Sequence, residues 1–404
     1  MFKRVLAAVA ISSSLLATSA YADCGFTNET EVKSLSASFQ AWKVITNEMQ
    51  KCGNVSAELD NEFKIKQPAA FATQPSLYHI AGVSNETIQP LLNEKTIRPL
   101  DDLVAKYGQH LSPNQLIKVD GKIMAIAMMI NSQHLIYRQD ILDQLKIPTP
   151  TTYGEILAAA KKIRDAGIME YPLTGTYKTG WNLGMEFTNL YMSYGGQFFD
   201  ESNQPMVNSE AGKQTLTTMK ALTEYMDPEY LIADSTQVQK KLQQDKAAIA
   251  NLWASRASAV DDEAESLVAG KIAFAAAPSA VPGGKPAATL WWDGMTIAAN
   301  ISDEEAEAAF RTAISTLTPE MANTNSTVAT WLVKGYKPSK YSTGSIANAQ
   351  SGTPAYPASV PMGMMQAALG TTVSNYLVGD TSLEQTLQEI ESKYLTTAKE
   401  SGLL

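Results

Sequence analysis

The sequence predicts an α/β protein built from two domains. Short apolar segments of strand length alternate with helical patterns along the chain, which is the order expected of β-α-β units. The chain has 404 residues. A single hydrophobic core rarely serves more than roughly 250–300 residues, so two cores are expected. Together these observations predict open sheets with helices packed on both faces.

The first β-α-β units are predicted near the N-terminus. Residues 32–39, 54–59 and 77–83 have strand-like composition, and a helical pattern lies between the first two of these segments. Such units predict a mostly parallel sheet. Ligands of parallel sheets bind beyond the carboxyl ends of the strands, so the loops at 40–43 and 82–86 are candidate ligand loops.

Three later helices have clear start signals. Capping boxes open at Thr152, Ser302 and Ser382, and each is followed by apolar residues at helical spacing. These apolar stripes are typical of helix faces that pack in a core. Residues 335–361 are rich in Pro, Gly, Ser and Thr, which predicts a long surface loop.

Residues 1–22 have the pattern of a signal peptide. Two basic residues precede an apolar run, and an Ala-x-Ala site predicts cleavage after Ala22. The run is shorter than the about 20 apolar residues that cross a bilayer. Export to an oxidising compartment predicts a disulfide between the two cysteines, Cys24 and Cys52, with two free buried thiols as the alternative.

Composition and motifs exclude several classes of function. The formal net charge is −9, and an acidic chain lacks the basic surface that nucleic acids and anionic lipids require. The three histidines fall in no metal-ligand spacing, and no GxSxG nucleophile elbow occurs. No catalytic residue, metal or cofactor is therefore predicted. A glycoside hydrolase stays open as an alternative, because its paired carboxylates are defined in space.

The tryptophans are the clearest indication of a ligand, because most of them lie at the ends of predicted elements. They are Trp42, Trp181, Trp253, Trp291, Trp292 and Trp331. A flat indole suits the apolar face of a pyranose, and the neighbouring Asp, Asn, Lys and Arg residues suit its hydroxyl groups. Two alternatives stay open: packing in a core, and an aromatic cage for a quaternary ammonium.

Six segments, in order, resemble one family. They are TIRPLDDL (96–103), VDGKI (119–123), LIYRQDI (135–141), IPTPTTYGE (147–155), DKAAIANLW (245–253) and AAPSAVPG (276–283). Together they resemble the family 1 extracellular solute-binding proteins of ABC importers, the group that includes the maltose-binding proteins. Arg138 and Tyr153 depart from this pattern, which has Asn and Trp at these positions.

The resemblance implies the periplasmic binding protein fold, in which two α/β lobes with mixed or parallel sheets are joined by a multi-segment hinge around an interlobe cleft. The expected N-terminal lobe is 23–129 plus 279–331, and the expected C-terminal lobe is 130–278 plus 332–404. The chain is expected to cross between the lobes near 128–132, near 274–279 and after Trp331. Such lobes close around a ligand by hinge motion.

The resemblance also implies a function and a site. The chain is expected to be a monomeric periplasmic protein that captures a mono- or oligosaccharide and delivers it to the membrane permease of an ABC importer. A betaine-type solute is the alternative ligand. Lys43 and Arg256 favour an acidic or sulfonated sugar. The implied ligand contacts are Gln40, Trp42, Lys43, Ser84, Asn85, Trp181, Trp253, Arg256, Trp292, Asp293 and Gly294, with Trp331 and Tyr356 as weaker candidates.

Overall fold

The computed structural model describes residues 24–404. The predicted signal peptide, residues 1–22, and its cleavage site lie outside the described residues. Within the described chain, no helix has both the length and the apolar character needed to cross a membrane.

The strands and helices alternate through most of the described chain. The strands are β1 (Asn28–Ser36), β2 (Gly53–Leu59), β3 (Ile80–Ser84), β4 (Leu116–Val119), β5 (Lys122–Asn131), β6 (Gln133–Arg138), β7 (Leu173–Thr174), β8 (Ile249–Trp253), β9 (Ile272–Ala275), β10 (Trp291–Ile297) and β11 (Thr330–Trp331). The helices are α1 (Gln40–Gln50), α2 (Phe63–Ala72), α3 (Ile88–Asn93), α4 (Asp101–Tyr107), α5 (Gln139–Gln144), α6 (Tyr153–Asp165), α7 (Trp181–Ser193), α8 (Glu210–Thr223), α9 (Ser235–Gln243), α10 (Ala257–Val260), α11 (Asp303–Ser315), α12 (Pro319–Thr324), α13 (Thr343–Gln350), α14 (Val360–Val378) and α15 (Leu383–Glu400).

Seven of these strands form one mixed sheet, in the order β11-β5-β10-β3-β1-β2 with β4 paired to β5. β1 runs parallel to β2 and β3, as the predicted β-α-β units require. β10 runs antiparallel to β3 and β5, so the expectation of a mostly parallel sheet is wrong. The reason is the path of the chain, which leaves this sheet at Asn131 and re-enters it at Trp291, directly opposite.

The other four strands form a second sheet, in the order β7-β8-β6-β9. β6 is antiparallel to β8 and β9, whereas β7 is parallel to β8. Successive side chains of β6 face opposite sides of the sheet: Leu135 and Tyr137 pack on one side, and Ile136 packs on the other with Leu242 and Leu252. Helices therefore cover both faces.

Two large hydrophobic cores accompany the two sheets. The first core surrounds the seven-stranded sheet and contains Phe71 and Phe310. The second core lies between the four-stranded sheet and α7, α8, α14 and α15, and it contains Phe187 and Tyr394. The expected architecture of two α/β units with mixed sheets is confirmed. The residue boundaries of the lobes stay predictions, and Ala287, beyond the predicted boundary at 278/279, packs in the second core.

The predicted helix starts are confirmed, whereas the predicted long loop is not. All three predicted capping boxes are present, at Thr152, Ser302 and Ser382. The predicted long loop at 335–361 is wrong, because it contains α13 and ends at the start of α14. Within α13, Asn348 is buried and hydrogen-bonded to Ser132 Oγ and to two backbone groups.

The predicted disulfide between Cys24 and Cys52 is confirmed, with the two Cα atoms 5.3 Å apart. It joins the start of the described chain to the end of α1. Next to it, the backbone N–H of Asn28 donates to the carbonyl of Cys52 at 2.8 Å, which continues the connection into β1.

Candidate ligand-binding site

Four aromatic side chains that are far apart in the sequence meet where the two cores adjoin. Trp181 stacks on Trp253, with ring centroids 6.2 Å apart and planes inclined by 23°. Trp291 meets both rings edge-on, at 5.8 Å and 5.9 Å. Tyr356 stacks on Trp291 at 4.4 Å. These four side chains are called the aromatic cluster below.

The ends of regular elements position three members of this cluster. Trp181 is the first residue of α7, Trp253 is the last residue of β8, and Trp291 is the first residue of β10. Gly180 precedes Trp181 with a φ of 101°, a backbone conformation that favours glycine and turns the chain into the helix.

A buried chain of hydrogen bonds fixes the orientation of Trp291. Its Nε1 donates to Thr289 Oγ1 at 3.0 Å, and Thr289 donates to Asn189 Oδ1 at 3.0 Å. Asn189 Nδ2 donates to Gln133 Oε1 at 2.9 Å, and Gln133 Nε2 donates to Glu186 Oε1 at 2.9 Å. Burial raises the pKa of Glu186. Such fully connected networks rigidify the residues they join.

Two buried polar groups at this junction have no hydrogen-bond partner. Asn85 is 8% exposed, and neither its Oδ1 nor its Nδ2 is bonded within residues 24–404. The hydroxyl of Tyr356, a side chain 4% exposed, also has no partner in the described part of the chain. Buried polar groups are almost always hydrogen-bonded, so these two groups are candidate hydrogen-bonding groups for a bound molecule.

Two charged side chains from segments beside the first sheet reach the cluster. Lys64 lies on α2, and Glu86 lies two residues after β3. Lys64 Nζ is 2.9 Å from Glu86 Oε2, and Trp181 Nε1 donates to Glu86 Oε1 at 3.2 Å. The cluster therefore lies at an interface to which both cores contribute side chains.

Asp293 is a further polar group at this interface. It pairs with Ser84 in the β10–β3 ladder, one residue before Asn85. Its carboxyl group has no hydrogen bond or ion pair among the described residues. Burial raises the pKa of Asp293 to about 7, and nearby Lys64 opposes part of this rise. The group therefore titrates near neutral pH.

Replacing Asp293 by asparagine is expected to change how stability depends on pH. An unfolded aspartate loses its proton near pH 4, whereas the folded carboxyl keeps it up to about pH 7. Between these values the folded state binds more protons, so the free energy of unfolding falls as the pH rises. D293N removes this pH-dependent loss of stability. Its free energy of unfolding at pH 8 should be about 1–2 kcal/mol higher than that of the wild type, a value reduced because water reaches the half-buried carboxyl group.

Thermal melts of both proteins between pH 5 and pH 8.5 measure this difference. D102N, at an exposed position of α4, is the matched control and should follow the wild type at every pH. Parallel curves for D293N and the wild type would contradict the assignment of Asp293.

Five of the thirteen predicted site residues lie at this interface. Trp181, Trp253 and Tyr356 are in the aromatic cluster, Asp293 is on β10, and Asn85 directly follows β3, the neighbouring strand. Ser84 already has hydrogen-bond partners within its own loop, because its backbone N–H and its hydroxyl bond the side chain of Thr87. Trp292 is half-buried and packs against the first core.

Three predicted contacts are corrected by the structure. Trp42 is 1% exposed and packs against Gly82 in the first core. Trp331 is 3% exposed, and its Nε1 donates to the carbonyl of Asn325 at 2.9 Å. Gly294 lies inside the seven-stranded sheet, where a Cβ would collide with the backbone of β5. The two indoles cannot reach a ligand, and Gly294 has no side chain, because each of the three residues is enclosed by protein.

The structure does not bring Lys43 and Arg256, the two predicted cationic contacts, together. Gln40 and Lys43 are exposed on the first turn of α1. Arg256 is half-buried, its Nη1 donates to Gln239 Oε1 at 2.9 Å, and burial lowers its pKa. Within residues 24–404 it has no carboxylate at ion-pair distance, and no hydrogen bond or ion pair joins it to Lys43.

Sequence reasoning missed Trp291, Lys64 and Glu86 as site residues. Trp291 and Trp292 are consecutive on β10, so they face opposite sides of the sheet and only one can join the cluster. Glu86 lies within the candidate loop 82–86, so a signal for it existed. Lys64 lies on a helix, and no sequence pattern distinguishes it from other exposed lysines.

The chain belongs to the family of bacterial extracellular solute-binding proteins, whose family model matches residues 67–316. The probable ABC transporter-binding protein of Deinococcus radiodurans is 28% identical over 270 residues, which are 64% of this chain and 63% of that relative. The chain thus spans less than two thirds of the length of the curated relatives that it matches.

Solved structures confirm the periplasmic binding protein fold. A solute-binding protein of Agrobacterium radiobacter in complex with ribitol has a TM-score of 0.77 at 20% identity, covering 91% of this chain and 99% of that one. Maltose-bound MalE3 of T. maritima has a TM-score of 0.76 at 19% identity, with coverage of 91% and 99%. Among residues 24–404, no group of three or more His, Cys, Asp or Glu side chains is arranged to hold a metal ion.

Proposed function

We propose that this chain captures a carbohydrate between its two cores and delivers it to the membrane permease of an ABC importer. The observation that carries the proposal is the aromatic cluster with unpartnered buried polar groups beside it. Aromatic rings suit the apolar faces of a sugar, and polar groups such as Asn85, Asp293 and the Tyr356 hydroxyl suit its hydroxyl groups. The similar structures with bound ribitol and maltose support this assignment.

The charges at the cluster favour a sugar over the alternative, a betaine-type solute that carries a quaternary ammonium group. The ammonium group of Lys64 lies over the Trp181 ring, 5.0 Å from its centroid, where an aromatic cage would hold a ligand cation. Trp181 and Trp253 also stack on each other rather than facing each other across a cage. A second cation at this place would be repelled by the first.

Binding is proposed to work by lobe closure. The proposed lobes are 23–129 plus 279–331 and 130–278 plus 332–404, and a ligand that contacts both favours the closed form by its differential affinity. The protein is proposed to be a periplasmic monomer that does no chemistry on its ligand. The cluster offers stacking surfaces and hydrogen-bonding groups, which suffice for capture and release.

A thermal-shift screen of the exported chain tests this function. The panel contains mono- and oligosaccharides, polyols, acidic and sulfonated sugars, and betaines. A ligand that binds only the folded state stabilises it by about 2.7 kcal/mol at a hundredfold excess over Kd. A sugar or polyol that raises Tm and is recovered chemically unchanged supports the proposal. A response to betaines alone, or conversion of the sugar, would contradict it.

A finer proposal is that the sugar carries an acidic group bound by Arg256. This guanidinium is half-buried without a carboxylate partner in the described chain, and a hydrogen bond to a charged partner contributes about 1.5–3 kcal/mol. R256A is therefore expected to weaken an acidic sugar about tenfold more than its neutral analogue. Calorimetric titration of both ligands measures the ratio. Equal losses for the two ligands would rule out the acidic-group assignment.

A further inference from the structure

One set of contacts joins the two cores through three side chains. Glu86 uses both carboxylate oxygens: Oε2 pairs with Lys64 Nζ at 2.9 Å, and Oε1 accepts from Trp181 Nε1 at 3.2 Å. Lys64 Nζ completes the triangle, 5.0 Å from the centroid of the Trp181 ring. Lys64 lies on α2 and Glu86 in the loop after β3, both beside the first sheet, whereas Trp181 packs against the second core.

These contacts place a cation where a stacked ligand would lie. A sugar ring that packs on an indole must approach its face to van der Waals distance. The Lys64 ammonium is over the Trp181 ring, held there by cation–π attraction and by Glu86. Trp253 stacks on the same indole. The face of Trp181 that Lys64 covers therefore cannot bind a sugar until the ammonium moves.

We propose that Lys64 is an autoinhibitory placeholder that a carbohydrate must displace from Trp181. This inference rests on the proposed function, because it assumes that the ligand stacks on Trp181. The displaced ammonium has somewhere to go, since the Lys64 side chain is 47% exposed and can reach water while it stays paired with Glu86. Ligand binding must then break one cation–π contact. The free energy of that contact sets the size of the change in affinity.

The proposal predicts a gain of affinity, which loss of a merely structural side chain would not produce. K64A removes the placeholder and is expected to bind maltose about three- to tenfold more tightly, the range that corresponds to one or two weak electrostatic contacts. K64R keeps a cation able to cover the indole and should bind within about twofold of the wild type. The measurement is a calorimetric or fluorescence titration with maltose as the probe.

Lys66 provides the matched control. It lies on the same helix and pairs with Glu58 and Asp60, which are both on the first-sheet side of the interface. K66A thus removes the same charge from α2 without touching Trp181. Its affinity for maltose should equal that of the wild type.

A second readout needs no ligand. In protein labelled with 5-fluorotryptophan, the ¹⁹F resonance of Trp181, assigned with W181F, should shift in K64A and stay in place in K66A. An unmoved resonance in K64A overturns the contact, whether or not the carbohydrate proposal holds. If the resonance moves but K64A binds maltose equally or more weakly, Lys64 is not a placeholder and the proposal is overturned. Failure of every sugar in the thermal-shift screen would instead overturn the proposed function.

Discussion

Replacing Trp253 by alanine is expected to weaken carbohydrate binding by about 1–3 kcal/mol, roughly five- to 150-fold. Trp253 supplies a binding surface and also supports two other rings of the cluster, because it stacks on Trp181 and meets Trp291 edge-on. Its removal takes away one apolar surface and also leaves Trp181 without the ring that supports it. Calorimetric titration with the sugar identified by the thermal-shift screen measures the loss.

Trp331 provides the control for this substitution. It is also a tryptophan, but it is enclosed in the first core. W331F should therefore lower the free energy of unfolding while leaving the affinity of the folded protein unchanged. The site assignment fails if W253A binds the sugar with wild-type affinity.

Removing the disulfide with C24S/C52S is expected to lower the free energy of unfolding by roughly 3–4 kcal/mol. The bond closes a loop with a sequence separation of 28 residues, and cross-linking a loop of this length restricts the unfolded chain by about that amount in the chain-entropy model. Denaturant unfolding of the double variant measures the change, and the wild type under reducing conditions should show the same loss. Sugar affinity should be unchanged, because neither cysteine contacts the aromatic cluster.

A loss below about 1 kcal/mol would contradict this expectation. It would mean that contacts already present in the unfolded chain, rather than the covalent link, hold the N-terminal segment near α1. The Ser315 hydroxyl lies 3.2 Å from Cys52 Sγ and contacts the bond.

The fold could be predicted further from the sequence than the site could. Alternation of strands and helices predicted two α/β units, and the capping boxes located three helix starts. The antiparallel placement of β10 was missed, because it depends on where the chain re-enters the first sheet. The helix α13 was missed because its buried residues, among them the hydrogen-bonded Asn348, are polar or small and form no apolar stripe.

The sequence around a tryptophan indicates only in part whether it lies in a core or in the site. Trp42 shares an apolar helical stripe with Ile45 and Met49, so its burial could have been inferred from the spacing. Trp291 and Trp292 differ only in the side of β10 that they face, and a strand pattern cannot say which side meets the second core. The approach of Lys64 to Trp181 depends on how the two cores are placed relative to each other.

The most direct test of the proposed function is a crystal structure of the protein with the sugar that the screen identifies. The sugar ring is expected to pack on the aromatic cluster, with its hydroxyl groups bonded to Asn85, Asp293 and the Tyr356 hydroxyl and with Lys64 displaced from Trp181. A sugar bound elsewhere on the protein, with these polar groups unpartnered and Lys64 still over the Trp181 ring, would contradict it.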